Sequence, residues 1–512
     1  MKKIFLSLAL ISCTFITYSQ EVSESLAVRM ANHYFQKIDL ESKNAIDSSD
    51  SLYRVHQLST PEWISPNGKA NMWLIPVEDG WVILSGSIKA TPILAYIQSF
   101  EKPVYDSMPP AAQELIDSYE DYLVYIREHD SQYEIDSRWL GAQNNMEAES
   151  DINRDNIDFI GDTLLTKWGQ SGGGSCATNK IYNKFCPSVS NPVICDKAHA
   201  GCVAVAIAQI MRYWNWPYAA QVPQTIGGND TILTFYDWTK MPIKIDNSTE
   251  MEKVDMIAGF LRDCGYKLDM DYGANGSSAD DDAAVETLIA FGYDENSIDL
   301  RSKWLTPGWT NMLRTNIDNG QPVYYAGYKT ILGTGGHAFV VDGYQTGDYP
   351  IYHINFGWNG WANGWYNIDD AYVNDTIHYE HYQSAIFGIR PDSRFCGDKT
   401  ITTVESPKFC IAQSGIVTLD GVQISNISDG RVYSAEGIVL TNGTYISSEC
   451  NVVFDIKPVP CTSSPQRRAL TPWRDSSYTM SNTPSTTKIL RGNQILILRD
   501  GRTFSITGQE IK

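Results

Sequence analysis

Apolar residues recur at helical spacing near the start of the chain and at strand-like spacing just after it. The stretch SESLAVRMANHYFQKI carries Leu26, Met30, Tyr34 and Phe35 on one face, which predicts a helix with Ser23 as its N-cap. Residues 72–97, MWLIPVEDGWVILSGSIKATPILAYI, predict two or three strands with a turn at 78–80. A second helix is predicted over AAQELIDSYEDYLVYIREHD. The pattern indicates an α+β unit over residues 20–150.

The pattern changes twice more along the chain. Residues 141–160 are polar and acidic, which is typical of an exposed linker or a surface loop. Residues 151–391 predict an α+β domain with helices first and antiparallel strands later, at 202–214, 250–264, 322–328, 337–345 and 351–355. Residues 392–512 are rich in Ser, Thr, Asn and Gly with short strand-like runs, which predicts a small all-β module with at most a weak repeat.

The length of the chain indicates how many domains to expect, and its net charge excludes one class of function. A chain of 512 residues is expected to hold several domains. The formal net charge of −20 argues against a nucleic-acid-binding protein, which needs a basic face.

The N-terminus, MKKIFLSLALISCTFITYSQEV, combines two lysines, an apolar run and small residues. We interpret residues 1–19 as a secretory signal peptide, which predicts a secreted, periplasmic or cell-surface protein. The alternative is a lipoprotein signal with Cys13 as the lipidated residue. We expect no transmembrane segment later in the chain.

Ten cysteines are present, and export makes disulfides plausible. The sequence suggests that Cys396/Cys410 and Cys450/Cys461 close small loops, and that one pair forms among three clustered cysteines, Cys176, Cys186 and Cys195. An odd number remains after removal of the signal, so a free thiol is expected. None of the spacings is typical of zinc sites.

One thiol has a distinctive position. In HAGCVAVAIAQIMRYW, Cys202 opens a predicted apolar helix, where the helix dipole and free N–H groups favour a thiolate. Read alone, Cys202 is more simply a buried core cysteine.

Three further motifs favour catalysis. His337 follows two glycines in GTGGHAFVVDGY, and Asn355 ends a strand before the tryptophan-rich loop of HINFGWNGWANGWY. The order Cys, His, Asn matches a thiolate–imidazole arrangement with an orienting amide. Gln170, in TKWGQSGG, is a candidate oxyanion donor.

These motifs resemble the streptopain family of papain-like cysteine peptidases. The match runs in family order over about 165–390, and includes LRDCGYKLDMDYG, GQPVYYAGY and YQSAIFGI, while the first unit resembles the family's propeptide. The resemblance implies a secreted zymogen with an inhibitory propeptide, a papain-like catalytic domain and protein or peptide substrates, with no cofactor and no metal. Its substrates would often carry a hydrophobic residue one position before the residue at the cut.

The resemblance also implies site residues. Cys202 would be the nucleophile and His337 the general base and acid, Asn355 would sit beside His337, and Gln170 with the Cys202 N–H would form the oxyanion hole. Gly336, Trp358, Phe356 and Tyr324 would contact substrate. The family commonly has Trp where this chain has Phe356, which puts that contact in question.

Other interpretations stay open at this point. The chain could be an inert secreted binding protein on a peptidase scaffold, or a Cys-His acyltransferase such as a transglutaminase-like enzyme. The carboxylates Asp280, Asp281 and Asp282 are read as a helix N-terminus rather than a calcium site.

Overall fold

The computed structural model describes thirteen stretches of the chain. These are residues 21–42, 60–77, 80–143, 159–161, 164–327, 336–347, 351–368, 383–441, 443–461, 486–491, 494–499, 502–505 and 510–511. The predicted signal peptide and Cys13 lie outside the described residues.

The N-terminal unit forms the elements that its hydrophobic pattern predicts. Ser23 Oγ accepts the Leu26 N–H at 3.3 Å, which confirms Ser23 as the cap of the first helix. Pro110 begins the second helix, where a missing N–H costs nothing. The helices are α1 Glu24–Ser42, α2 Pro110–Glu128 and α3 Leu140–Gln143; the strands are β1 Glu62–Ile64, β2 Met72–Val77, β3 Gly80–Ser85 and β4 Ile93–Ile97.

The central block has the predicted order of helices followed by antiparallel strands. Its helices are α4 Cys202–Trp214, α5 Met251–Lys267, α6 Asp281–Ala290 and α7 Trp309–Asp318. Its strands are β5 Phe159–Gly161, β6 Ala219–Pro223, β7 Thr231–Phe235, β8 Asp299–Ser302, β9 Val323–Gly327, β10 His337–Gln345, β11 Ile351–Asn355, β12 Gly364–Asn367 and β13 Gln383–Phe387. The predicted α+β class is confirmed.

One sheet of eleven strands crosses the boundary between the first two units. Its order is β1-β2-β3-β4-β12-β11-β10-β9-β13-β8, with β5 paired to β10. Strand β4 joins the two units by pairing antiparallel with β12 through Gly364↔Ile97, Trp365↔Tyr96 and Tyr366↔Ala95. The first unit is therefore docked by backbone hydrogen bonds as well as by side-chain packing.

Two cores flank this sheet and position the site. One core is built around α4 and contains no residue of the first unit. The other joins α2 and the β2–β4 strands to α7, β11 and β12. The core around α4 thus excludes the first unit but includes Ala412, Tyr433 and Val459 of the C-terminal residues.

The C-terminal module is all-β, as predicted, but its strands pair in parallel coils. Successive coils are 21–22 residues apart in register, as in Lys408↔Asp429 and Gly430↔Val452. The strands are β14 Lys399–Ile401, β15 Lys408–Gln413, β16 Ile416–Leu419, β17 Gln423–Ile424, β18 Asp429–Ser434, β19 Gly437–Leu440, β20 Tyr445–Ile446 and β21 Val452–Ile456, followed by antiparallel β22 Thr486–Arg491, β23 Gln494–Arg499, β24 Arg502–Ser505 and β25 Glu510–Ile511. The weak repeat in the sequence corresponds to these coils.

The module packs directly on the central domain. Tyr218 Oη donates to Pro458 O at 2.7 Å, and the Tyr218 and Tyr433 rings lie 4.6 Å apart. Phe395 packs on Trp216 with ring centroids at 4.5 Å. The module therefore shares the core around α4.

The disulfides correct part of the sequence prediction. Cys176 pairs with Cys195, as one of the expected alternatives. Cys396 pairs with Cys461, so the two predicted small loops are wrong. Their remaining members, Cys410 and Cys450, are free thiols. Chain neighbours did not pair because the coils bring residues 65 positions apart into contact.

Candidate active site

Cys202 begins helix α4, as predicted. Gly201 precedes it with φ +91°, and a Cβ at that position would lie 2.7 Å from Met270 Cε. Only glycine fits this turn without strain. The turn fixes Cys202 at the positive end of a helix that is buried from Val203 to Met211.

The environment of the Cys202 sulfur combines opposing effects. Burial raises the pKa of the Cys202 thiol, backbone N–H groups of Ala338, Val203 and Cys202 itself lower it, and Asp281 raises it. The helix N-terminus favours the thiolate as the sequence predicts, but burial outweighs it and the net direction is upward.

His337 is the first residue of β10, opposite Gly327 of β9. The N–H of the next residue, Ala338, lies close enough to the Cys202 sulfur to lower the pKa of the thiol. The backbone of the residue that follows His337 therefore lies at the Cys202 sulfur. The pairing of the His337 imidazole with the Cys202 thiol stays a prediction.

Gln170 lies in a loop held against the segment before Cys202. The Ala200 N–H donates to Gln170 O at 2.8 Å, and Gly169 forms an isolated bridge with Trp358. The Gln170 side chain is buried, with 7% exposed. The backbone of the predicted oxyanion donor is therefore anchored two residues before the nucleophile.

Asn355 is placed differently from the arrangement that we predicted. It pairs with Val340, three residues beyond His337 on β10. Asn355 Nδ2 donates to Thr166 O at 2.6 Å, and its Oδ1 accepts from Gln209 Nε2 at 3.2 Å and from the Gly357 N–H at 3.1 Å. In the described part of the chain the Asn355 amide has no contact with His337, and it fixes the loop after β11 instead.

Gln209 is a structural residue of the site that the sequence analysis missed. It is fully buried on α4, and its Oε1 accepts the Trp168 N–H at 3.3 Å. It therefore links the loop of Gln170 to Asn355. The available signal was that Gln209 is the one polar residue in the apolar run 203–211.

Of the four residues predicted to contact substrate, two keep that prediction and two are corrected by the structure. Gly336 and Trp358 are partly buried next to His337 and Gly169, and their roles stay predictions. Phe356 is 3% exposed and packs between Phe339 and Tyr366, at centroid distances of 5.7 and 5.2 Å. We therefore correct its assignment: Phe356 supports the loop from inside.

Tyr324 is also corrected. Its ring is fully buried in the core around α4, which a substrate does not reach. Its hydroxyl donates to Asp281 Oδ1 at 2.7 Å. Asp281 begins α6, as the helix-terminus interpretation predicted, and its other oxygen accepts from Ser384 Oγ.

Comparison with known families matches two parts of the chain. Residues 177–366 match the Peptidase C10 family, and residues 19–123 match the Spi protease inhibitor family. Residues 177–366 are a Peptidase C10 family domain. The match spans Cys202, His337 and Asn355, while Gln170 lies before it. The predicted cysteine-type peptidase with an inhibitory propeptide is confirmed at this level.

Several known proteins are similar to this chain. Streptopain of Streptococcus pyogenes is 27% identical over 349 residues, which cover 63% of this chain and 81% of the relative. The thiol protease/hemagglutinin PrtT of Porphyromonas gingivalis is 31% identical over 258 residues, 46% of this chain and 27% of the relative. The structure of a Prevotella intermedia prointerpain A fragment is 20% identical with a TM-score of 0.48, covering 64% of this chain and 99% of that one.

Among the described residues, no helix is long and apolar enough to cross a membrane.

Proposed function

We propose that the chain is a secreted cysteine endopeptidase, made as a zymogen, that hydrolyses peptide bonds in proteins through an acyl-enzyme. The observation that carries the proposal is the position of Cys202. This residue begins α4, and the N–H of Ala338, the residue directly after His337, lies at its sulfur. A nucleophile at a helix N-terminus beside an imidazole is the minimal machinery for thiol acyl transfer.

The catalytic cycle follows from these groups. His337 takes the proton of Cys202, and the thiolate attacks the peptide carbonyl carbon. His337 then gives the proton to the leaving amine, and next activates a water molecule that hydrolyses the thioester. The oxyanion receives hydrogen bonds from the Cys202 N–H and the Gln170 side chain, which the anchored Gln170 loop supports.

The proposed domain boundaries are a propeptide over 20–150, a catalytic domain over 151–391 and an accessory module over 392–512. Strand β5 supports a cut before Phe159, because it pairs with β10 through Gly161↔Gly343 and so belongs to the catalytic sheet. The polar linker is the expected place of cleavage.

Export is supported by the predicted signal peptide and by the two disulfides, Cys176–Cys195 and Cys396–Cys461. Such bonds persist in oxidising compartments. Attachment through Cys13 is the alternative, and mass spectrometry of the secreted protein would separate the two.

The test is hydrolysis of casein by the processed protein, with Cys202→Ala as control. We expect cleavage and epoxide labelling at Cys202 in the wild type, and neither in the variant. Equal cleavage in Cys202→Ala refutes the mechanism. Absence of both cleavage and labelling in the wild type indicates an inert binding protein, and crosslinked products indicate an acyltransferase.

A further inference from the structure

One buried amide connects the helix of the nucleophile to the segment that leads to Gln170. Gln209 lies seven residues after Cys202 on α4, so two helical turns place both on the same face, about 10 Å apart along the axis. Its Oε1 accepts the Trp168 N–H at 3.3 Å, and its Nε2 donates to Asn355 Oδ1 at 3.2 Å. Because Gln209 is fully buried, water does not replace either hydrogen bond when the side chain is lost.

The segment that receives this bond is extended but belongs to no strand. Residues 164, 166 and 168 are buried whereas 165 and 167 are exposed, which is the alternation of a strand. Three buried side chains take the place of a neighbouring strand: Asp342 accepts the Leu164 N–H at 2.7 Å, Asn355 donates to Thr166 O at 2.6 Å, and Gln209 accepts the Trp168 N–H. The last of these bonds fixes the backbone two residues before Gln170.

The two donors of the proposed oxyanion hole lie on different segments. The Cys202 N–H belongs to α4, and the Gln170 side chain belongs to the loop before it. One attachment between them is the bond from the Ala200 N–H to Gln170 O at 2.8 Å. A loop held at one point can pivot about it, and the bond of Gln209 at Trp168 removes that freedom. Catalytic groups must be held within about 0.5 Å of their productive positions, so this second attachment matters for the chemistry.

We propose that Gln209 is a positioning residue of the oxyanion hole: through the Trp168 N–H it holds Gln170 at the distance from the Cys202 N–H that the transition state requires. The inference rests on the proposed peptidase function. Gln209 is buried and does not touch substrate. Because an oxyanion forms only as the thiolate attacks, the loss of Gln209 should lower kcat and leave KM nearly unchanged.

The first test compares the processed wild-type enzyme with Gln209→Met, which keeps the length of the side chain and removes both hydrogen bonds. After titration of the active sites with an epoxide, we expect kcat for a peptide amide to fall on the order of 10- to 100-fold, with KM within about threefold. Alkylation of Cys202 by iodoacetamide forms no oxyanion, so its rate should stay within about threefold of the wild type. A merely structural role would lower the amount of titratable enzyme and leave kcat per active site unchanged.

Two control variants separate positioning from destabilisation. Leu261→Ala removes buried apolar volume from the core around α4 without removing a hydrogen bond. Gln221→Met makes the same chemical change as Gln209→Met at an exposed position of β6. Both variants should keep the wild-type kcat per active site.

A double-mutant cycle tests whether Gln209 acts through Gln170. We expect Gln170→Ala alone to lower kcat by about 100- to 1000-fold, the usual loss for an oxyanion donor. Adding Gln209→Met to Gln170→Ala should then lower kcat by no more than about threefold, because the group that Gln209 positions is already absent. Gln209→Asn is the second variant in case Gln209→Met does not fold, since it keeps the amide but is one methylene too short to reach both partners.

Wild-type kcat per active site in Gln209→Met, or in Gln209→Asn if the first variant does not fold, overturns the inference. Additive losses in the cycle, or an equal fall in the iodoacetamide rate, also overturn it. If Gln170→Ala keeps the wild-type kcat, Gln209 has no oxyanion donor to position and the inference fails. If the wild type cleaves no peptide or protein, the proposed peptidase function itself fails, which is a distinct outcome.

Discussion

Gly364 offers a way to loosen the propeptide without touching the catalytic residues. It begins β12, where β4 of the propeptide pairs with the catalytic sheet. A Cβ at residue 364 would lie 2.4 Å from Tyr96 O and 3.0 Å from Ile97 Cα. The three atoms nearest to this Cβ all belong to the propeptide backbone, so Gly364→Ala is expected to strain the docking alone.

The size of the effect follows from the contact. Real Cβ atoms essentially never approach within 3.0 Å, so β4 must retreat by about 0.6 Å near Tyr96. We expect this shift to weaken about two of the β4–β12 hydrogen bonds, each with a net value of about 0.5–1.5 kcal/mol. The sum, ~1–3 kcal/mol, corresponds to an about 5- to 150-fold larger undocked fraction.

The assay uses the intact chain. Hydrogen exchange of the Ile93–Ile97 amides should accelerate by that factor in Gly364→Ala, and epoxide labelling of Cys202 should accelerate with it. Gly259→Ala is the control, because no atom lies within 4 Å of a Cβ at this position in α5. It should leave both rates unchanged.

Two results would refute the reasoning. Wild-type exchange in β4 of Gly364→Ala would mean that the strand absorbs the methyl group without losing its pairing. A processed Gly364→Ala enzyme with reduced kcat/KM would mean that the strain lies within the catalytic domain. Faster exchange without faster labelling would separate docking at β12 from protection of the thiol.

The remaining predictions concern the core network and the nucleophile. Gln209→Leu leaves buried hydrogen-bond partners unsatisfied, so it should lower the free energy of unfolding by about 2–4 kcal/mol in urea titrations. The control, Gln221→Leu at an exposed position, should lower it by less than about 0.5 kcal/mol. A loss below about 1 kcal/mol in Gln209→Leu would contradict the hydrogen-bond network. Because burial raises the pKa of Cys202, its thiolate fraction in the intact chain should still be rising above about pH 8.5, where an ordinary cysteine is half ionised. Iodoacetamide rates at Cys202, followed by mass spectrometry, would count against this if they levelled off by neutral pH.

The sequence predicted the elements well where the signal is local. Helix α4 begins at Cys202 and the helix cap at Ser23 is present, because both depend on side chains within one turn of the chain. The order of motifs was enough to predict the nucleophile and His337 as a pair. The Ala338 N–H lies at the Cys202 sulfur, and the catalytic pairing itself stays a prediction.

The predictions that the structure corrects involve contacts between segments that are distant in the sequence. The pairing of Cys396 with Cys461 depends on parallel coils, whose register no local pattern reveals. Tyr324 was assigned to substrate because it lies in a conspicuous motif, but its position on β9 turns it toward the core. Asn355 has the expected place in the chain order, yet Gln209 and Thr166 determine where its amide points.

The Cys396–Cys461 bond has a consequence for proteolysis of the C-terminal module. Phe395 and Pro458, near its two ends, both contact the catalytic domain, at Trp216 and Tyr218. All the parallel coils therefore lie inside one covalently closed loop. A cut anywhere between 397 and 460 opens that loop but leaves the residues after Cys461 attached to the enzyme. The module tolerates a nick that would detach the end of an ordinary linear tail.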